Sequence, residues 1–131
     1  MPATLTIRDE IPGSQPFREW SLDVLTERLT VRELIRSRVY QEVQDYNQRQ
    51  PDDFQGLVQP ADAQRTLNGY RLKEPRQIDW RQQFNRAIEA FEASQVLVLI
   101  NDKQVESLDE EITVAPGTEV SFLKLTLLVG G

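Results

Sequence analysis

The sequence contains neither cysteine nor histidine. Without cysteine, the chain cannot form a disulfide framework or a thiolate metal site, and it has no thiol nucleophile of its own. Without histidine, it lacks the side chain that most often serves as a general base near pH 7 or as a metal ligand. These absences favour a carrier, a substrate or a binding module over a stand-alone enzyme, so we predict no catalytic residue and no bound metal or cofactor.

Basic residues are also in short supply. Lys and Arg number 15 against 21 Asp and Glu, which gives a net charge of -6, and the only lysines are Lys73, Lys103 and Lys124. A negative chain is a poor match for nucleic acid, whose binding depends on a basic surface. The chain has no apolar run near the roughly 20 residues of a membrane span, and residues 1–10 lack the features of a signal peptide. We therefore expect a cytoplasmic protein that binds neither nucleic acid nor membrane.

The 131 residues, 39% of them hydrophobic, fit one domain with a single core, which we predict to span residues 1–131. Residues 3–11 alternate apolar and polar side chains, as a half-buried strand does. Residues 17–25 predict a second strand, with Trp20, Leu22 and Val24 on one face. The two strands suggest a hairpin with a loop longer than the minimal turn.

A helix is predicted over residues 31–46. Thr30 and Glu33 have the spacing of a capping box, in which each side chain bonds to the backbone amide of the other residue. Apolar residues then recur at helical spacing. They are Val31, Leu34, Ile35, Val39, Val43 and Tyr46. The charged residues between them are predicted to form a solvated face, and they are Arg32, Arg36, Arg38, Glu42 and Asp45.

Residues 47–94 are predicted to be a helical insertion. Residues 60–67 resemble a short helix that starts at Pro60 and stops at Asn68-Gly69. The stretch 47–74 is too long for a structureless connection, so we expect a specificity or self-association surface. It would be held in place by Phe54, Leu57, Val58 and Tyr70. Asp79 then caps a second helix with an apolar stripe made of Trp80, Phe84, Ala87, Ile88 and Phe91.

The last third predicts strands. Residues 95–100, QVLVLI, form a short apolar run typical of a buried central strand. The pair Asn101-Asp102 predicts a turn, and further short strands are predicted at residues 103–105 and 112–114. Between these, Asp109, Glu110 and Glu111 are consecutive, and consecutive side chains of an extended chain point to alternate sides, so they predict no metal site.

The segment that offers chemistry is residues 119–131, EVSFLKLTLLVGG. It predicts a core strand through about Phe122 and then a flexible tail over about residues 126–131. The apolar residues Leu125, Leu127, Leu128 and Val129 are predicted to dock on a partner, since exposed apolar patches mark interaction sites. Gly130 and Gly131 would then present a sterically open terminal carboxylate. Six extended residues reach roughly 20 Å, far enough to enter a narrow active site of another enzyme.

The elements and the terminal glycines resemble the β-grasp, ubiquitin-like proteins. From about Val96 onward the match is best to the sulfur carriers of molybdopterin and thiamine biosynthesis, with the entry PG-x-E-V-x-F at residues 116–122 and the terminal diglycine. The insertion and the absence of a proline-rich approach to the diglycine are more similar to a bacterial ubiquitin-like modifier. The fold that this resemblance implies is α+β: a β-grasp mixed sheet with a long helix across it.

The resemblance also implies a mechanism. An adenylating enzyme would use ATP and Mg to convert the Gly131 carboxylate to an acyl-adenylate, and Gly130 would provide clearance. A conjugating enzyme would pass the acyl group to a protein target, and a deconjugating peptidase would remove it. Two alternatives stay open: a sulfur carrier with a terminal thiocarboxylate, and a β-grasp scaffold that is never conjugated. In the latter, the insertion or the helix faces would matter. A separate alternative is that Gly130 and Gly131 are an ordinary frayed end and that the leucines complete a core strand.

Overall fold

The computed structural model describes residues 3–11, 18–66 and 69–125. Within these ranges the chain is an α+β protein with two helices and a mixed sheet. In chain order its elements are β1 (Ala3–Glu10), β2 (Arg18–Val24), β3 (Arg28–Thr30), α1 (Val31–Arg49), β4 (Ala63–Thr66), β5 (Gly69–Leu72), α2 (Trp80–Glu92), β6 (Val96–Ile100), β7 (Lys103–Val105), β8 (Glu111–Thr113) and β9 (Glu119–Lys124).

Five strands form the main sheet in the order β2-β1-β9-β6-β7. β1 and β9 run parallel, and every other neighbouring pair in this sheet is antiparallel. Two small antiparallel sheets pair β3 with β8 and β4 with β5. The apolar run at β6 is interior, as predicted, but β9 takes the middle of the sheet.

α1 begins where the capping box predicted. The Thr30 hydroxyl accepts from the Glu33 amide at 3.1 Å, and the Glu33 carboxylate accepts from the Thr30 amide at 2.9 Å. The helix continues past residue 46 to Arg49, where Gln50 closes it in a left-handed conformation with φ 46°. All six apolar residues of the predicted stripe are buried, which confirms the core face.

The predicted solvated face of α1 is wrong at two positions. Arg38 is fully buried and Glu42 is 9% exposed, so both belong to the inner face. Arg32, Arg36 and Asp45 are exposed as predicted. A buried charge is stable only when it is paired and hydrogen-bonded, and the partners of Arg38 and Glu42 lie on other elements.

The insertion does not contain the short helix predicted over residues 60–67. The chain forms the β4–β5 hairpin instead, and Phe54 bridges to Tyr70 through two backbone hydrogen bonds of 2.7 and 3.0 Å. Gly69 has φ 149°, and a Cβ there would collide with the Phe54 carbonyl, so this glycine permits strand contact and does not stop a helix. Phe54 and Leu57 are buried, which confirms them as the residues that hold the insertion in place.

α2 starts at the predicted cap, where Asp79 accepts from the backbone amide of Arg81 at 3.0 Å. Its stripe is only half covered: Ala87 is fully buried, while the larger apolar residues are partly exposed. The turn after β6 places Asn101 and Asp102 at φ 49° and 68°, which confirms the predicted turn. Among the described residues, neither helix is both long and apolar enough to cross a membrane.

Candidate functional site: the carboxyl end of β9

The structure describes the predicted docking stretch only at its start, and the predicted tail over residues 126–131 lies outside the described residues. Leu125 follows β9, is 38% exposed, and donates from its backbone amide to the carbonyl of Gln95 at 2.9 Å. The other predicted docking residues, Leu127, Leu128 and Val129, and the predicted reactive residues, Gly130 and Gly131, lie outside the described residues. The place where the chain leaves β9 is therefore the part of the site that can be built in detail.

β9 leads to this point from the middle of the sheet. Its alternation directs Val120 and Phe122 to the inner face, where both are fully buried. The same period of two directs Lys124 inward as well. A lysine therefore occupies the inner-face position immediately before the chain leaves the sheet.

Lys124 is bound by the insertion. Its Nζ donates to the carbonyl of Gly56 at 2.7 Å and lies 5.6 Å from the centroid of the Tyr70 ring. A Cβ on Gly56 would collide with the Phe54 ring, so glycine allows this loop to lie close to its own core residue. The insertion thereby contacts the last strand directly at the residue from which the tail departs.

Burial has a measurable consequence for this amine. Desolvation, together with the positive charge of Arg38, lowers the pKa of Lys124 to about 8, although Asp9 and Glu42 oppose the shift. The amine therefore changes charge within an experimentally accessible pH range.

Beneath Lys124 lies the fully buried guanidinium of Arg38. Its Nη2 donates to Asp9 Oδ2 at 2.8 Å, and its Nη1 donates to the other oxygen of the same carboxylate. Its Nε donates to Glu42 Oε2 at 3.3 Å. The guanidinium also lies 4.5 Å from the Phe122 ring centroid and 5.2 Å from that of Trp20. We refer to Asp9, Arg38, Glu42 and Lys124 as the buried charge cluster.

Both carboxylates of the cluster have further partners. Asp9 accepts from Trp20 Nε1 at 3.2 Å, and Arg18 lies 3.6 Å away at the rim. Glu42 accepts from the backbone amide of Leu57 in the insertion at 3.1 Å. Every buried charge is thus paired or hydrogen-bonded, which satisfies the condition for charges in a core.

Burial and the neighbouring charges of the cluster shift the pKa values of Glu42 and Arg38. Burial raises the pKa of Glu42 above its ordinary value, although Arg38 and the Leu57 amide act in the opposite direction. Burial alone would lower the pKa of Arg38, but Glu42 and Asp9 outweigh it and the net direction is upward. Arg38 therefore stays charged, while Glu42 takes up a proton at a higher pH than an ordinary glutamate does.

The arrangement connects four parts of the fold: β1 through Asp9, α1 through Arg38 and Glu42, the insertion through Gly56 and Leu57, and β9 through Lys124. The end of β9 thus lies beside the Gly56 carbonyl of the insertion and beside charged groups of α1 and β1. Within the part of the chain that the structure describes, no group of three or more acidic side chains could hold a metal ion.

A cleft lies at the same end of the sheet. It measures about 590 Å³ and opens where Val96 and Leu97 extend beyond the last residue of β7. Arg32 lines it beside Asp109, with 3.5 Å between Arg32 Nη2 and Asp109 Oδ1. Leu125, the one predicted docking residue that the structure describes, does not line this cleft.

The charged residue types of the buried charge cluster predict exposed positions, whereas their spacing in the sequence predicts inward positions. Asp9 continues the alternation of Leu5 and Ile7, and Lys124 continues that of Val120 and Phe122. Arg38 lies four residues after the buried Leu34, and Glu42 lies seven residues after the buried Ile35. Residues at these intervals lie on one face of a helix. The spacing therefore predicts an inward position for all four residues.

Comparisons with protein-family models, with curated proteins and with solved structures gave no match to this chain. The residues and geometry of the chain itself therefore carry the functional proposal.

Proposed function

We propose that this protein is a ubiquitin-like modifier of the β-grasp fold whose Gly131 carboxylate is adenylated by an activating enzyme and transferred to a protein target. The observation that carries the proposal is the position of β9. This last strand lies between the amino-terminal hairpin and β6, parallel to β1, with α1 packed on the sheet. That arrangement is the one expected of a β-grasp protein.

The inserted elements account for the extra length. β4, β5 and α2 all fall between α1 and β6, and they pack beside the sheet without entering it. The insertion reaches β9 only at its end, through the Gly56 carbonyl. It is therefore suited to hold the strand from which the tail emerges.

The mechanism divides the chemistry between partners. A carboxylate does not react with an amine at neutral pH, so the activating enzyme supplies Mg-ATP and forms the acyl-adenylate. A conjugating enzyme delivers the acyl group to a lysine or hydroxyl of the target, and a deconjugating peptidase reverses the reaction. This chain contributes the carboxylate and the narrow backbone of Gly130 and Gly131.

An ATP–pyrophosphate exchange assay with an adenylating enzyme of the ubiquitin-activating class tests the proposal. We expect exchange with the full chain and its loss when Gly131 is deleted. Intact-mass measurement of the cellular protein checks that Gly131 bears the terminal carboxylate. Full exchange after deletion of both glycines would overturn the proposal.

The sulfur-carrier alternative shares the adenylation step and is favoured by the PG-x-E-V-x-F entry, which forms the turn before β9 with Gly117 at φ 86°. The two functions differ in their product. A thiocarboxylate changes the mass of the protein by the difference between sulfur and oxygen, whereas conjugation adds the mass of a whole target. A scaffold that is never conjugated would show neither product and no exchange.

A further inference from the structure

A second surface, remote in sequence from the tail, has the composition of a binding site. The Trp80 ring lies where α2 begins and packs edge-on against the Tyr40 ring of α1, with 5.3 Å between centroids. The guanidinium carbons of Arg36 and Arg81 each lie 5.3 Å from the Trp80 ring centroid. We name Arg36, Tyr40, Trp80 and Arg81 the Arg–Trp surface.

This surface is open to solvent. Tyr40 is 45% exposed, Arg36 and Arg81 are exposed, and Trp80 is partly covered. Trp, Tyr and Arg are the residue types that dominate binding energy in protein interfaces. Their contacts with one another hold the rings and guanidinium groups in place, so little side-chain freedom remains to be lost on binding.

Among the described residues, neither Arg36 nor Arg81 makes an ion pair. Other arginines do pair with carboxylates, namely Arg8, Arg18, Arg28, Arg32, Arg38 and Arg71. The nearby Asp79 carboxylate is used in capping α2.

The positive charge of the Arg–Trp surface contrasts with the negative net charge of the chain. The net charge is -6, yet at this place two cationic groups flank an aromatic ring. Such a surface complements a segment that carries carboxylates beside apolar side chains: the carboxylates would accept hydrogen bonds from the guanidinium groups, and the apolar groups would cover the rings.

We propose that the Arg–Trp surface is a docking site for an acidic segment of a partner protein. The site is independent of the tail chemistry, because it uses the exposed sides of α1 and α2 and no residue of β9. The partner is bound by charge-assisted hydrogen bonds to Arg36 and Arg81 and by contact with Tyr40 and Trp80.

Titration with a synthetic peptide that repeats Glu-Glu-Leu tests the proposal, with a Gln-Gln-Leu peptide as the control ligand. Backbone amide shifts in ¹⁵N spectra locate the binding and give Kd. The test variant is Arg36→Gln with Arg81→Gln. The matched control is Arg49→Gln with Arg86→Gln, which removes the same charge from exposed positions of the same two helices. Thermal unfolding confirms that both variants are folded.

We expect the acidic peptide to shift amides around Arg36, Tyr40, Trp80 and Arg81, and the Gln peptide to bind far more weakly. Kd should rise about tenfold or more in the test variant, as loss of charge-assisted hydrogen bonds predicts, and stay unchanged in the control variant. Equal weakening in both variants, shifts elsewhere, or no saturable binding would overturn the proposal.

Two other occupants would also overturn it. A concentration-dependent dimer in sedimentation that the test variant abolishes would identify a second copy of this chain. An oligothymidine that binds more tightly than the acidic peptide, and loses binding in the test variant, would identify nucleic acid. Neither result bears on pyrophosphate exchange, so this site and the tail function fail separately.

Discussion

Arg38 in the middle of α1 donates from both terminal nitrogens to the two carboxylate oxygens of Asp9 in β1, and both side chains are buried. Such a pair holds helix and sheet in one relative position, because any shift would separate charges that no longer have water around them. Replacing one partner should therefore lower the free energy of unfolding by far more than the intact pair contributes to it.

Replacing Arg38 by Met should lower the free energy of unfolding by about 3–5 kcal/mol, since it leaves the carboxylates of Asp9 and Glu42 without their cation in the core. Urea denaturation measures the change. Arg49→Met, at an exposed position of the same helix, should change the value by less than about 0.5 kcal/mol. If adding Asp9→Asn and Glu42→Gln to Arg38→Met recovers no stability, uncompensated charge is not the cause.

The titration of Glu42 should lower the free energy of unfolding as pH rises. Its pKa is raised in the folded protein from an unfolded value of about 4.5, so the folded state binds more protons across that interval. The contribution of protonated Glu42 is fully present below about pH 4.5 and is lost as pH rises through the folded pKa. Urea denaturation at a series of pH values should show this loss as a difference between the native protein and Glu42→Gln, and a parallel pair of curves would contradict it.

The titration of Lys124 should raise the free energy of unfolding as pH rises in the alkaline range. Its pKa is about 8 when folded against 10.5 when unfolded, so between these values the unfolded state binds more protons and stability rises with pH. The rise should be about 1–3 kcal/mol. The interval from pH 8 to 10 is the most informative, because Tyr46 and Tyr70, whose pKa values are raised, reduce stability at higher pH. Lys124→Met should remove the rise, and an unchanged rise in that variant would assign it to another group.

Leu125 should matter for activation but little for folding. It is 38% exposed just after β9, so Leu125→Ser should change the free energy of unfolding by less than about 1 kcal/mol. In the pyrophosphate exchange assay, the same variant should raise KM for this protein because a docking contact is lost. Leu25→Ser, at a leucine that is 86% exposed after β2, is the control and should leave KM unchanged. A large loss of stability in Leu125→Ser would place Leu125 in the core instead.

Local patterns predicted the features that depend on near neighbours in the chain. The Thr30–Glu33 capping box, the alternation of β1 and β9, and the Asn101-Asp102 turn all form as expected, because each is decided by hydrogen bonds and dihedral preferences within a few residues. The same locality explains the error at residues 60–67. Proline and glycine fitted a helix there, but residues 63–66 pair with β5, and β5 in turn bridges to Phe54, a contact that local preference does not register.

The sequence alone determined that this chain has no thiol or imidazole to act with, that its helices and strands begin at definite caps and turns, and that a diglycine follows its last strand. Only the tertiary structure decided which partners allow Arg38 and Glu42 to be buried, with Lys124 partly covered beside them, and that β9 occupies the centre of the sheet. The physical reason is that a charge can be buried only beside its partners. For Arg38 that partner is Asp9, 29 positions earlier in the chain and on a different element.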